Sequence, residues 1–537
     1  MMHRNTDVLV IGAGPVGLAL AIELGLRGLH VVVAERNLRG GLAPRAKTTN
    51  VRTRGHLRRW GIADKLAAAS PLGIAYPNDI RFLTSLAGYE LAHIKNAFSA
   101  APERSPDYPE HAQWIPQYTL EKILLERART LANVEVHFDL TFVSATQTGT
   151  QVQALLLDGA GAQVQVNARY LVGADGARSS VRDLLGAKME GHYGLSRNYN
   201  VIFRAPGLVQ AHSHGRAVMY WQLGQTPTLI GPMDGGDTWF FMPTGLRENQ
   251  TLTNHEAAQR IRDSTGIDLP YEVLSADVWV ASELLADRYR DRRVFLAGDA
   301  CHLHPPFGGY GLNMGVGDAV DLGWKIAATL QGWGGAMLLD SYEPERRPVH
   351  RSVIDEAVSN HQILRGQFAT EGLAEDSPAG SARRRAIGAQ IMATRPREFH
   401  TLGTVLGVAY QSSPIIVNEN AEWPARDGQK YCPSARPGCL APHAWLDDGR
   451  SLYDTFGPGF TLVVAQGTDE SQLARAREDA GQLGIPLEII QPLGVPVVKL
   501  YQAKLTLVRP DQHVAWRGDT WRSVLSYVTG AAGAALK

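Results

Sequence analysis

The chain has 537 residues, room for about three or four domains of ordinary size, and at 44% hydrophobic it can bury a large core. Lysines plus arginines equal aspartates plus glutamates at 53 each, a balance that argues against nucleic acid as the main partner and against strong electrostatic attraction to a membrane. The cysteines, Cys301, Cys432 and Cys439, are too few for a disulfide framework, include no C-x-x-C pair and, with the histidines, show no zinc-like spacing.

In chain order, "DVLVIG" reads as a buried strand, "PVGLALAIELGLRG" as a helix with a glycine ending, and "HVVVAE" as a second strand. This is a βαβ unit. No basic region, apolar stretch and cleavage site precede it, and no run of eighteen apolar residues occurs anywhere, so a cytoplasmic protein with no membrane span is expected. Residues 118–131 read as a helix and "VEVHF" as a strand. "NYNVIFR", "AVMYW", "TPTLIG" and "TWFFM" are short, aromatic and β-branched, and predict an antiparallel sheet inserted in the first domain together with Arg81–His93. "RRVFLAGDA" returns the chain to that domain, and Asn313 and Met314 open a helix. Charged helices follow from about Tyr342 to Thr401. The last part runs "FTLVVA", a helix from Ser471 to Leu483, "PLEII", "LTLVRP", "HVAWR" and an amphipathic helix from Thr520. That order is thioredoxin-like, without a redox cysteine pair.

Three strand ends carry chemistry. Gly12-x-Gly14-x-x-Gly17 stands between strand and helix, where glycines permit a tight turn, admit a pyrophosphate and let helix and strand pack. Glu35 ends the next strand, where a ribose-binding acid belongs. "VGADGARSSVR" places Asp175 after a strand, and "GDACHLHPPFGGYGLN" does the same for Asp299 before a glycine bed at Gly308–Asn313. Taken singly, each of these two acids reads first as a helix cap or turn residue. There is one dinucleotide fingerprint, so a second nucleotide has no dedicated site of this kind.

In this order and spacing the motifs resemble those of the FAD-dependent aromatic hydroxylases, single-component flavoprotein monooxygenases of the para-hydroxybenzoate hydroxylase type. "RPGCLAPHAWL" and "LVRPDQHVAWR" resemble the C-terminal domain of its larger phenol and polyketide hydroxylase branch. The resemblance implies an α/β fold: a Rossmann-like FAD-binding domain (1–80, 94–190 and 285–345), an inserted antiparallel β-sheet substrate domain (81–93 and 191–284), a helical linker (346–404) and a thioredoxin-like C-terminal domain (405–537). It implies FAD held by Gly12, Gly14, Pro15, Val16, Gly17, Glu35, Arg36, Arg45, Gln117, Asp175, Asp299, Gly309, Gly311, Leu312 and Asn313. Asp299 would meet the ribityl hydroxyls, and the loop through Gly311, Leu312 and Asn313 would lie against the flavin ring.

The implied reaction is hydroxylation of a phenolic or other electron-rich aromatic substrate through a C4a-hydroperoxyflavin, with NADPH or NADH as reductant. Arg45, Lys47 and Pro305 are the catalytic candidates. Lys47 reads equally as a solvated loop lysine. Trp114, Tyr220, Trp221, Met233, Phe241, Pro306 and Tyr310 are candidates for the substrate pocket, with plain core packing as the alternative. Tyr310 stands where the family commonly has glutamine. His302 reads as structural and His304 is left open. No metal is expected. The partners implied are a small aromatic compound, O2 and NAD(P)H, with a homodimer as the assembly to test. The alternative is a flavin-dependent oxidase, or a tailoring oxygenase acting on a polycyclic natural product.

Overall fold

Val8, Leu9, Val10 and Ile11 form an unbroken apolar run, and the fold buries both faces of it. They lie in the strand Met2–Ile11, paired in parallel with Val31–Glu35 on one side and Gln163–Gly173 on the other. The structure is a computed structural model that describes residues 2–38, 46–224, 227–243, 251–365 and 371–531. Among these residues the sheet runs Arg290–Asp291, Val294–Leu296, Gln163–Gly173, Met2–Ile11, Val31–Glu35, Val134–Phe138. Along this path all pairs are parallel except the first; Val152–Asp158 joins Gln163–Gly173 off it, and Leu140–Gln147 joins Val152–Asp158, both antiparallel. The helices Pro15–Leu26 and Gly311–Leu330 pack together against it. Small residues make the approach close: a Cβ on Gly323 would stand 2.8 Å from the Cβ of Glu23.

The second sheet runs His302–Leu303, Glu272–Ala286, Met189–Arg204, Thr238–Pro243, Thr228–Pro232, Met219–Gln222, Ile80–Leu83, Glu90–Ile94. It is antiparallel apart from Met219–Gln222 against Ile80–Leu83, which is parallel. Alternation gives it two apolar faces. Phe82, Met219, Trp221, Leu229 and Phe240 pack with Trp114, Tyr310 and Met314 on one side. Tyr220, Ile230, Trp239 and Phe241 pack on the other with Ala257 and Ile261 of the helix Asn254–Thr265.

A third sheet runs Leu487–Ile490, Phe460–Val464, Leu505–Val508, Val514–Gly518; its first pair is parallel and joined through the helix Glu470–Leu483. The helix expected from Thr520 is one turn, Leu525–Val528. The residues before it are spent on docking: Trp521 donates from its backbone N–H to Gln472 Oε1 (2.7 Å) and from Nε1 to Asp479 Oδ2 (2.6 Å). Both acceptors lie on Glu470–Leu483, so this stretch is held against that helix.

A buried charge cluster joins this last part to the first. Arg509 donates to Glu345 (2.6 and 2.8 Å), Asp321 (3.0 Å) and Asp511 (2.7 Å), and Lys325 donates to Asp321 (2.8 Å) and Glu345 (2.5 Å). No helix among the described residues is long and apolar enough to cross a membrane.

Candidate cofactor and substrate site

The three motifs leave adjacent parallel strands at one edge. Ile11, Gly173 and Leu296 are register partners, so Gly12, Ala174 and Ala297 follow side by side. Contact between the turns requires glycine. A Cβ on Gly12, whose φ is +105°, would lie 2.3 Å from the Ala174 carbonyl oxygen, and one on Gly17 would lie 1.9 Å from that of Gly12. Val16 is wedged between Gly298 and Gly315, where added Cβ atoms would meet its Cγ2 at 2.8 and 2.5 Å. Its side chain thus packs between these two glycines and is half-buried.

Gly14 differs. Its Cβ direction is empty to 4 Å, and the helix it caps, with Pro15 first, has no side-chain cap. Uncapped N–H groups thus face open space, the arrangement that receives a phosphate. Glu35 crosses to the same turn and accepts from Ala13 N–H at 2.9 Å, with Asn37 bonded to its other oxygen. These residues fit the pyrophosphate and ribose of a dinucleotide. Arg36, next along, is exposed. Asp299 is exposed in the short turn Gly298–Ala300.

Asp175 realises the helix-cap reading: its carboxylate accepts from Ser179 Oγ (2.5 Å) and Ser180 N–H (2.8 Å) at the start of Ser180–Leu185. Burial raises its pKa. Asn313 is also committed inward. Its Oδ1 accepts from Asn50 N–H (3.0 Å), and its Nδ2 donates to the carbonyls of Thr48 (3.0 Å) and Gly309 (2.8 Å). The side chain thus pins the glycine loop to residues 48–50. Gly309 and Gly308 take positive φ (65° and 90°), and Gly311 opens the helix with nothing nearer than His304 Cβ at 4.0 Å. Leu312 is half-buried against the main core. Gln117 sits at the start of Gln117–Arg129, its N–H on the Ala46 carbonyl and its Nε2 on Glu121. Arg45 lies outside the described residues.

The substrate-side candidates separate by face. Trp221 and Met233 lie on the face with Trp114 and Tyr310. Tyr220 and Phe241 do not: they and Ile230 are register partners and point the opposite way, under the helix Asn254–Thr265. The neighbour Phe240 takes the place assigned to Phe241. Tyr310 is buried, its ring folded back so that a Cβ on Gly308 would strike it at 2.2 Å. Pro305 is buried and Pro306 exposed.

Lys47 sits beside this face. Its neighbour Thr48 pairs with Trp114, and Ile115 N–H bonds the Lys47 carbonyl at 2.7 Å. Its Nζ stands 3.8 Å from the centre of the Phe240 ring, and Trp114 lies between Phe240 and Phe98. The lysine is half-buried rather than solvated, and loss of water pulls its ammonium down to about 7. A cavity of about 160 Å3 lies elsewhere, lined among others by Pro344, Leu406, Trp423 and Tyr431; none of the candidate cofactor or substrate residues is among those lining it.

Comparison with known proteins agrees with this geometry. Residues 5–357 match the family described as FAD binding domain, and residues 434–535 match aromatic-ring hydroxylase, C-terminal. The chain is 32% identical over 574 residues to 2,4-dichlorophenol 6-monooxygenase of Delftia acidovorans, covering 96% of both. It is 33% identical over 550 residues to tetracenomycin B2 monooxygenase-dioxygenase of Streptomyces olivaceus, covering 97% of this chain and 96% of that one. The rebeccamycin biosynthetic enzyme RebC with reduced flavin superposes with a TM-score of 0.90 at 33% identity, covering 99% of this chain and all of that one. The chain belongs to the FAD-binding aromatic-ring hydroxylases, and is a flavoprotein monooxygenase of that family.

Proposed function

We propose that the protein hydroxylates a phenolic or other electron-rich aromatic compound, consuming O2 and NAD(P)H. The observation that carries this reading is the seating of Lys47 over Phe240, beside Trp114 and one strand pairing from the glycine loop. Bound FAD supplies reduced-flavin activation of O2; the chain supplies the rest. The open turn at Gly14 and the acid Glu35 receive the dinucleotide's phosphates and ribose, and Asp299 takes the ribityl hydroxyls. The loop Pro305–Asn313 seats the ring, with Gly309, Gly311 and Leu312 as its floor. Trp114, Trp221, Met233 and Phe240 form an apolar wall that orients an aromatic ring and excludes water. Lys47, neutral in a large fraction at pH 7, accepts the phenol proton at Nζ and so raises electron density on the ring to be attacked. Arg45 serves the reductant or cofactor from the segment before Lys47.

The same reading divides the chain into a Rossmann-like cofactor domain, an inserted substrate sheet, a helical linker and a thioredoxin-like C-terminal domain. The parallel order around Met2–Ile11 and the order Leu487–Ile490, Phe460–Val464, Leu505–Val508, Val514–Gly518 support it. A tailoring role on a polycyclic phenol is the second reading, favoured by the likeness to the tetracenomycin and rebeccamycin enzymes. The test is NAD(P)H oxidation by the yellow holoprotein with simple and polycyclic phenols, with product identified by mass. A hydroxylated product matching NAD(P)H consumed is expected. Peroxide as the sole product across both panels would overturn the reading.

A further inference from the structure

The cavity of about 160 Å3 takes no part in the proposed chemistry. Its depth and its rim are built differently. Val349, Leu406, Val408 and Leu440 line the depth, and all are buried. Pro344 and Pro348, one turn apart on the helix Tyr342–Arg365, add flat apolar surface. Trp423 and Tyr431, both half-buried, bring two aromatic rings to it. The rim carries Arg426, Asp427 and Lys430, all exposed.

The charges around this space are not equally available. Asp427 turns its carboxylate to its own loop, where Oδ1 accepts from the N–H groups of Gln429 (2.8 Å) and Lys430 (3.2 Å). Glu345 also borders the cavity, but its oxygens accept from Arg509, Lys325 and Ser413. Arg426 donates to Ser352 Oγ. Asp355 and Glu356 act on Arg426 from nearby, yet Glu356 is already clamped by Arg397, at 2.6 Å to each oxygen. Among the described residues neither Arg426 nor Lys430 makes an ion pair. The rim therefore offers two cations against one carboxylate that its own turn already holds.

We propose that this cavity binds a single-ring aromatic carboxylate at a site separate from the one where hydroxylation takes place. The ring lies against Val349, Leu406, Val408 and Leu440, and the carboxylate meets Arg426 and Lys430. Size sets the ring count, because a cavity of about 150 Å3 holds one benzene ring and fused rings exceed it. Removing the ring from water drives binding, and the two cations fix its direction. The carboxylate stays at the exposed rim, so it keeps part of its water and avoids the cost of full burial. The position ties the site to the rest of the molecule. The four depth residues belong to the same packed cluster as Trp114, Trp221, Phe240 and Tyr310. Leu406, Val408 and Leu440 also line a smaller cavity of about 40 Å3, which Asn313 and Met314 border from the start of the helix Gly311–Leu330. One layer of side chains thus stands between the bound ring and the space beside the glycine loop.

Benzoate is the probe. The oxidised holoprotein carries 5-fluorotryptophan, and no reductant is present, so nothing turns over. The Trp423 fluorine resonance, assigned as the one missing from Trp423→Phe, should shift saturably with benzoate. Anthracene-9-carboxylate, with three fused rings, should leave it in place. Arg426→Met combined with Lys430→Met, both at exposed positions, should weaken benzoate by at least about 10-fold and leave benzyl alcohol unchanged. No shift with benzoate up to about 10 mM overturns the site. An equal shift with the anthracene acid overturns its size. Unchanged benzoate affinity in the double variant overturns the role of the rim, since a shift relayed from the hydroxylation site would survive those substitutions. Should Trp423→Phe misfold, a benzoate-soaked crystal of the wild type decides by density in the cavity. A preparation without FAD fails the functional reading instead, and the same titration still decides the cavity.

Discussion

At the scale of single residues, the decisive group is Lys47. Its ammonium, drawn down to about 7 by burial, blocks proton acceptance below that pH and permits it above. kcat/KM should therefore rise with pH through a limb near 7. Lys47→Met should lower kcat/KM above the limb by about 10²-fold and flatten it. An identical pH profile in the variant would remove Lys47 from the chemistry. The sequence made Lys47 a candidate but not a buried one: the ring its Nζ faces, Phe240, lies almost two hundred positions away, which no local pattern reveals. The Phe240–Phe241 exchange was within reach. Adjacent strand residues face opposite ways, so Tyr220 and Trp221 could not both line one cavity, and register with Ile230 then carries Phe241 to the side of Tyr220. The inward commitment of Asn313 was not legible, because its partners Thr48 and Asn50 are fixed only by the tertiary fold.

At the scale of elements, the strand–glycine–helix unit was legible because each glycine answers a local demand. These demands differ, and substitution separates them. Gly14 has ordinary φ and an empty Cβ direction, so Gly14→Val should fold with an unchanged far-UV spectrum. Its side chain would stand where the phosphates approach, and FAD affinity should fall by at least about 10²-fold, near 2.7 kcal/mol. Full flavin occupancy after purification would count against the assignment. The strands of the third sheet and the helix Glu470–Leu483 were equally readable from alternation and period. The final helix was not, because Trp521 docks on a helix fifty residues earlier and overrides the amphipathic pattern of its own segment.

At the scale of the whole molecule, the cluster of Asp321, Lys325, Glu345, Arg509 and Asp511 ties the third sheet to the helix whose first turn forms the glycine loop. Burial, with Glu345 beside it and against the pull of Lys325 and Arg509, raises Asp321 to about 8. With that proton in place, two cations face two anions. Because the folded state keeps a proton that the unfolded state releases near 4, Asp321 makes stability fall as pH rises from about 4 to about 8. Asp321→Asn imitates the protonated form. Its Tm should match the wild type near pH 4 and exceed it increasingly up to pH 8, and parallel Tm curves would show that Asp321 is ionised throughout. The pairing has a further consequence for synthesis. Glu345 leaves the ribosome 164 residues before Arg509, an interval of about 8–30 s at ordinary translation rates. Until then the nascent cofactor-binding half holds these carboxylates with Lys325 but without their guanidinium, so a chain cut short before residue 509 should be cleaved by protease more readily than the full one.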